Sequence, residues 1–580
     1  MSGGELVASL LAAEGVEVVF GIIDGTYFGL YSNLGKHGIR LITPRHESSA
    51  AHMAGAYARL SGRLGVCIAS NGPGVANVLP GVAVENGEGN RVLLVTSTRR
   101  TGISYPERAG TFQYFDQVAV TTPMTKWSAA APSFERIPEL MRRAFRTSFR
   151  GRPGVVHVDI PENIINGKFK DAPEPLAPGR YRRVEPLEPE TVAVKKAADM
   201  LTGCERPLIH AGSGVLHSRA CRELETVAEL LKSPVTTSWG GRGAISERLS
   251  LMVPMPYVDL NNQVRSRADV VLVLGSRVGE TDWWGRPPYW GDPAEQRTIQ
   301  VDIDEETLGL NKPVDLAVVA DIRRFLEALA AELADGRSSS HLDSRRAAVI
   351  ELADSKREAR AELDKVLDKN DAPMHPAHIA AICRDFFDDD AILVTDGGNT
   401  VIWTYFYHEV RSPNTMLNTF KFGMLGAGVG QALGAKTARP DKQVYCIIGD
   451  GAMGFHSQEV ETAVRNGLAV VYLVVCDGQW GMVKMNQQFA LKPLKTLVKK
   501  SLGPDETINA DLGPIRFDRL GEAMGAHGEF VSSPQDLEPA LARSVASGRA
   551  AVIHVEVDPV AHMWAPKLKA FKAMHLEPKG

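Results

Sequence analysis

The chain has 580 residues, 44% hydrophobic and 23% charged, with 65 Lys plus Arg against 69 Asp plus Glu and a formal charge of -4. At roughly 100–200 residues per domain, this length predicts three to four domains, and the composition excludes a largely disordered chain. The near balance of charge argues against a nucleic-acid binder, which would carry a basic stripe, and against a polybasic membrane anchor.

The N-terminal stretch MSGGELVASLLAAEGVEVVF lacks a basic region and carries Glu5, Glu14 and Glu17. It predicts an amphipathic helix followed by a strand rather than a signal peptide. No run reaches the ~18 apolar residues of a membrane span, so the expected location is the cytoplasm. The cysteines Cys67, Cys204, Cys221, Cys383, Cys446 and Cys476 contain no C-x-x-C pair. They read as packed thiols of a reducing compartment, not as a zinc or redox motif.

In chain order, the first unit spans 1–165, with GVCIAS and RVLLVTST as buried strands. A proline-dense stretch, 161–190, contains Pro161, Pro173, Pro175, Pro178, Pro186 and Pro189 and predicts an extended surface connection. The second unit, 190–335, carries the strands PLIHAG, DVVLVLGS and TIQVDID. A linker over 335–373 follows, with a charged helical stretch inside it. The third unit, 372–558, carries AILVTDGG, VYCIIGDG and LAVVYLVVC, and 559–580 is a tail that could cover the active site as a lid. Continuous β-branched runs bounded by glycine, with helical patterns between them, predict parallel sheets covered on both faces. The expected fold class is therefore α/β, with three doubly wound parallel-sheet domains.

The third unit holds the strongest chemical signal. Gly449-Asp450-Gly451 follows one predicted strand, with a helix expected from about Ser457 to Asn466, and Asp477-Gly478 closes the next strand. Ligands of open α/β sheets bind beyond the carboxyl ends of the strands. Two carboxylates there, beside glycines that let backbone N–H groups approach an anion, describe a magnesium–diphosphate site.

These residues resemble the thiamine-diphosphate motif, in which Gly-Asp-Gly is followed by Asn-Asn. The likeness extends over nearly the whole chain, through PRHESSAAHMAGAYARLSGRLGVCIASNGPGVANVLPGVA, TFQYFDQVAVTTPMTKWS, KFGMLGAGVGQALGA and GQWGMVK. The group it resembles includes acetolactate synthase, pyruvate oxidase and benzaldehyde lyase. Such a resemblance implies a pyrimidine-binding, a middle and a diphosphate-binding domain, with thiamine diphosphate and Mg2+ as cofactors. It also implies a homodimer or homotetramer with shared active sites and a small carbonyl substrate.

The resemblance assigns roles residue by residue. Glu47 would hydrogen-bond N1' of the aminopyrimidine and so promote loss of the thiazolium C2 proton. Gly423 and Leu425 would clasp the pyrimidine and enforce the bent cofactor shape. Asn399, Thr400, Gly449, Gly451 and Ala452 would border the diphosphate. Asp450, Asp477 and the Gln479 main-chain carbonyl would hold the metal, and Gln113 would reach the reacting centre. His46 and His52 read as structural. Asp477 stands where asparagine is usual and Cys476 replaces the asparagine before it, an added negative charge beside the diphosphate.

Substrate signals diverge from acetolactate synthase. Asn486 stands where that enzyme carries a tryptophan, and MVPMPYVDLNN replaces a Gly-Met-His-Gly run. Arg99, Arg100 and Arg108 are candidates to neutralise an anionic substrate, or simply a solvated loop. Decarboxylase, lyase and carboligase remain open, because the cofactor chemistry is shared among them. The middle unit's glycines in HAGSGV, GGRGA and GSRVGE are too loosely spaced for a dinucleotide fingerprint, so FAD is not expected. The competing readings are a flavin-dependent 2-keto acid oxidase of the same fold and a non-catalytic nucleotide-binding relative.

Overall fold

The β-branched runs form the strands of three all-parallel sheets in the computed structural model, which describes residues 1–104, 106–170, 172–335, 339–419, 421–568 and 573. The first sheet contains β1 (Val18–Gly21), β2 (Arg40–Ile42), β3 (Gly65–Ala69), β4 (Val92–Thr98), β5 (Trp127–Ala130) and β6 (Val155–Pro161), in the order β2-β1-β3-β4-β6-β5. The middle sheet contains β7 (Pro207–Ala211), β8 (Val235–Thr237), β9 (Val270–Leu274), β10 (Arg297–Asp302) and β11 (Leu316–Val319), ordered β8-β7-β9-β10-β11. The third contains β12 (Ile392–Asp396), β13 (Met416–Leu417), β14 (Val444–Gly449), β15 (Val471–Cys476), β16 (His527–Val531) and β17 (Ala551–Glu556), ordered β13-β12-β14-β15-β17-β16.

Counted from its own first strand, the third sheet repeats the order of the first, 2-1-3-4-6-5, and the middle sheet has the related order 2-1-3-4-5. Each order reverses between its first and third strands. A crevice opens there at the strand C-termini, because the flanking connections leave to opposite faces.

The first and third domains share one core. The helix Glu47–Ser61 packs on the helix Ala427–Ala438, and Ala50, Met53, Ala54 and Tyr57 join Val429, Ala432 and Leu433 in a single buried cluster. The approach is close enough that a Cβ on Gly434 would collide with the Met53 carbonyl. The middle domain keeps a separate core built on Ile209, Leu272 and Ile299.

The charged stretch within 335–373 is a helix, Leu342–Asp364, tied to the middle domain. The buried Arg345 guanidinium donates to the carbonyls of Leu201 (2.8 Å), Cys204 (2.5 Å) and Leu231 (3.0 Å), and Lys356 Nζ donates to Leu249 O at 2.6 Å. After the end of β6 at Pro161, the proline-dense stretch carries the short helix Glu162–Ile165, a β-bridge from Lys168 to Ser2 and one 3-10 turn, Pro178–Arg180. Among the described residues no helix is long and apolar enough to cross a membrane. The tail forms the helix Pro559–Met563. From residue 569 onward only Ala573 belongs to the described residues, so the later half of the expected lid lies outside them.

Candidate active site

The crevice of the third sheet collects the acidic pair. β14 and β15 are neighbours, with Gly449 opposite Val475, so Asp450 and Asp477 leave adjacent strand ends. The helix expected from about Ser457 to Asn466 is present as Glu459–Arg465, and an unforeseen helix, Asp450–His456, precedes it. Asp450 thus sits in the first helical turn, where free N–H groups and the helix dipole favour an anion.

Asp450 Oδ1 accepts the Gly451 N–H at 2.7 Å and Oδ2 accepts the Gly478 N–H at 2.8 Å. Burial, then the charge of Asp477, push its carboxyl up to about 6. Two carboxylates at adjacent strand ends suit a hard divalent cation, which would relieve their repulsion. The Gln479 main chain lies in a short closed loop between the bonds Leu512 N–H to Gly478 O (2.7 Å) and Trp480 N–H to Ala510 O (2.8 Å). Cys476 is a packed thiol whose Sγ meets Val474 O and His554 Nδ1, and burial raises it well above the ordinary thiol range.

Across the crevice, β12 ends in Asp396 and the helix Asn399–Tyr407 begins. Asn399 is buried, and neither its amide oxygen nor its nitrogen has a partner. It lies near Asp477: a Cβ built on Gly481 would sit 2.8 Å from Asn399 Nδ2 and 3.2 Å from Asp477 Oδ2. An orphaned buried amide costs on the order of 1–3 kcal/mol, so its persistence fits a site built for a polar ligand such as a metal-bound diphosphate. Thr400 Oγ1 lies 3.1 Å from where a Cβ on Gly449 would stand, so any side chain there would crowd the cradle.

Gly423 has φ 70°, in the left-handed region, and its N–H donates to Thr419 O at 2.7 Å. Leu425 is half-buried against the shared core, one residue before Gly426 (φ 86°), which opens the helix Ala427–Ala438.

Glu47 and Gln113 both contact the segment that runs from the end of β3 into the helix Pro73–Glu88. Asn77 Nδ2 donates to Glu47 Oε2 at 3.1 Å, and Asn71 Nδ2 donates to Gln113 O at 2.9 Å. The Gln113 backbone has φ 54° and abuts Gly72. Phe112 beside it is 72% exposed. Among the described residues, no hydrogen bond or ion pair of one chain links Glu47 or Gln113 to Asp450, Asp477 or Asn399. Arg99 and Arg100 both face Glu162, at 3.1 and 3.5 Å, which engages two of the three candidate substrate cations. His46 caps the helix Glu47–Ser61 by accepting the Ser48 N–H, and His52 is buried against Glu85 at 2.9 Å, both structural roles.

Several site residues carry no recognised signal in the sequence. Asp396 Oδ2 accepts the Gly428 N–H at 2.8 Å and Oδ1 that of Gly397 at 2.5 Å, locking the helix Ala427–Ala438 onto the end of β12; burial raises its carboxyl to about 6. Its place before Gly397-Gly398 at a strand end was the available clue. Gln117 braces the turn beside Gln113, accepting the Gly72 N–H at 2.9 Å and donating to Asp159 Oδ1 at 3.0 Å. His562 touches Asp477 from the tail, with no local motif to announce it.

The middle domain has its own crevice. A cavity of about 1520 Å³ opens over the ends of β7, β9 and β10 and is lined by Gly212, Gly214, Gly275, Ser276, Arg152 and Arg277, among others. Glycines distant in sequence meet here: a Cβ on Gly212 would collide with the Gly275 carbonyl.

Fold and site together define an α/β scaffold with two carboxylates at adjacent strand ends, and comparison with known proteins names its family. Residues 1–120 match the family description "Thiamine pyrophosphate enzyme, N-terminal TPP binding domain", residues 194–329 the central domain, and residues 396–555 the C-terminal TPP binding domain. The chain belongs to the thiamine pyrophosphate enzyme family. It is 30% identical over 567 residues to the acetolactate synthase large subunit IlvG of Mycobacterium tuberculosis, covering 96% of each chain. It is 28% identical over 576 residues to a probable acetolactate synthase large subunit of Methanococcus aeolicus (96% and 92% covered). It is also 28% identical over 578 residues to a 2-hydroxyacyl-CoA lyase of Arabidopsis thaliana (97% and 96% covered).

Proposed function

We propose that this chain is a thiamine-diphosphate- and Mg2+-dependent enzyme that breaks or forms a C–C bond next to a carbonyl, acting on a 2-keto acid, 2-hydroxy ketone or related donor. The observation that carries the reading is the convergence of Asp450, Asp477 and the orphaned Asn399 amide on one crevice. Bound thiamine diphosphate supplies the carbon nucleophile and electron sink for such chemistry.

The protein's part is to hold, orient and exchange protons. Asp450, Asp477 and the Gln479 carbonyl bind the cation, while Asn399, Thr400 and the Gly449–Ala452 turn receive the diphosphate. Gly423 and Leu425 shape the pyrimidine pocket. Glu47, steadied by Asn77, holds the proton that N1' exchanges. Gln113 borders the reacting carbonyl.

Glu47 and Asp450 lie in different half-sites, so the working unit in this reading is a two-fold homodimer, or a pair of dimers, with each cofactor held between subunits. The domain limits 1–165, 190–335 and 372–558 and a cytoplasmic location belong to the same reading. Calorimetry of the apo-protein with thiamine diphosphate and Mg2+ tests it, followed by mass spectrometry of products from a panel of 2-keto acids and 2-hydroxyacyl thioesters. Failure to bind the cofactor pair overturns it.

The middle-domain cavity favours a second reading, in which a phosphate-bearing nucleotide occupies that crevice. Its arginines and glycine-lined strand ends suit an anion. Release of a nucleotide on denaturation, or absorbance near ~450 nm for a flavin, distinguishes this reading from an empty middle domain.

A further inference from the structure

The tail reaches the metal site through one side chain. His562, in the helix Pro559–Met563, is 4% exposed and sits between Asp477 and Thr400. Its Nδ1 lies 2.6 Å from Asp477 Oδ2 and its Nε2 lies 3.2 Å from Thr400 Oγ1. A carboxylate only accepts, so Nδ1 carries the hydrogen in this contact. The His562 main chain is clamped as well: its carbonyl accepts the Trp403 indole N–H at 2.9 Å. Ring and backbone are thus both gripped by the helix Asn399–Tyr407, the element that presents Asn399 to the crevice.

The two oxygens of Asp477 differ in consequence. Oδ2 accepts from His562 and, at 3.1 Å, from Gln479 Nε2, while Oδ1 accepts the long 3.3 Å contact from the Gln479 N–H. A carboxylate has about four lone-pair directions, so Oδ1 keeps free capacity and Oδ2 has little. A buried carboxylate without such partners would carry a large desolvation cost and could rotate away. Gln479 Nε2 also donates to Pro559 O at 2.8 Å, a second tie between the same loop and the tail helix.

We propose that His562 is a positioning residue for the metal site: by occupying Asp477 Oδ2 while held by Thr400, it leaves Oδ1 to face the cation. The inference rests on the reading of Asp477 as a metal ligand. It makes the tail helix part of the site rather than a surface appendage. Outer-shell partners of metal ligands change metal affinity by roughly 10–100-fold when removed.

The test is Mg2+ affinity at saturating thiamine diphosphate, measured by calorimetry on full-length wild type, His562→Ala, His562→Asn, Asp477→Ala and Asp477→Asn, with circular dichroism as the folding control. His562→Ala is expected to weaken Mg2+ binding by about tenfold or more, and His562→Asn, which keeps a donor near the Nδ1 position, to restore most of it. In an Asp477→Asn background, where there is no carboxylate to orient, His562→Ala is expected to have little further effect. If Asp477→Ala leaves Mg2+ affinity unchanged, the metal-ligand reading itself fails. If Asp477→Ala weakens binding but the folded His562 variants do not, the positioning role is overturned. It is equally overturned if His562→Ala costs as much in the Asp477→Asn background as beside the native carboxylate. Should His562→Ala not fold, His562→Asn and His562→Gln decide: the glutamine, whose donor sits farther out, must bind Mg2+ less tightly than the asparagine.

Discussion

Asp450 Oδ2 accepts the backbone N–H of Gly478 across 2.8 Å and so ties the end of β14 to the loop after β15. One carboxylate thereby organises the turn that carries Asp477 and Gln479, and Gly478, with φ 66°, supplies the left-handed backbone the turn requires. Asp450→Ala should therefore abolish cofactor-dependent activity twice over, by loss of a proposed metal ligand and by release of this loop. Hydrogen exchange of residues 477–481 should rise in the variant, whereas unchanged protection would show that the loop holds its shape alone.

Glu47→Gln should lower turnover by roughly 10²–10⁴-fold, the usual worth of a general acid–base group, with the fold intact. The amide stays nearly isosteric and can still meet Asn77, but cannot exchange a proton with N1'. Steady-state rates together with cofactor affinity separate this loss from loss of binding; turnover near wild type would remove Glu47 from its role.

The proposed cofactor site between subunits predicts complementation. Glu47→Gln and Asp450→Ala subunits, each inactive, should recover part of the activity on mixing, because a mixed dimer contains one site with both residues native. Subunits that verifiably exchange yet recover nothing would contradict a cofactor held between chains.

Gly434→Ala should destabilise the protein by about 1–3 kcal/mol, as overpacking in a close-packed core does. The added methyl would meet backbone atoms of Met53, which cannot swing aside as a flexible side chain could. A thermal midpoint unchanged from wild type would mean that the Glu47–Ser61 and Ala427–Ala438 helices are less tightly seated.

Asp159 gives a pH-dependent prediction away from the crevice. Burial raises its carboxyl to about 7, against the bonds from Thr96 Oγ1 (2.7 Å) and Gln117 Nε2 (3.0 Å) that partly oppose the rise. The folded state then binds a proton more tightly than the unfolded chain, so this contribution is fully present below about pH 4 and is lost as pH rises toward 7. Denaturant unfolding at several pH values should show wild type losing stability over that window relative to Asp159→Asn; parallel curves would show that Asp159 ionises normally.

The strand runs and the acidic strand ends were legible in the chain because parallel sheets buried on both faces demand unbroken β-branched segments, and glycine and aspartate mark where those segments end. GVCIAS, DVVLVLGS and VYCIIG each became a central strand for that reason. The family motif also drew attention to Asp450 and Asp477, which the structure places at adjacent strand ends.

Contacts between distant segments were decided by the tertiary structure alone. Nothing local in His562 distinguishes it from a surface histidine, and the strand-end setting of Asp396 does not name its partner, because Asp477 and Gly428 lie 85 and 32 positions away. The helix start at Asp450 was hidden too: Gly451 and Gly454 have poor helix propensity, and packing in the crevice overrides it. The meeting of Gly212 with Gly275 likewise needed the β7–β9 pairing, since sequence spacing records distance along the chain and the switch point of a sheet joins strands the chain keeps apart.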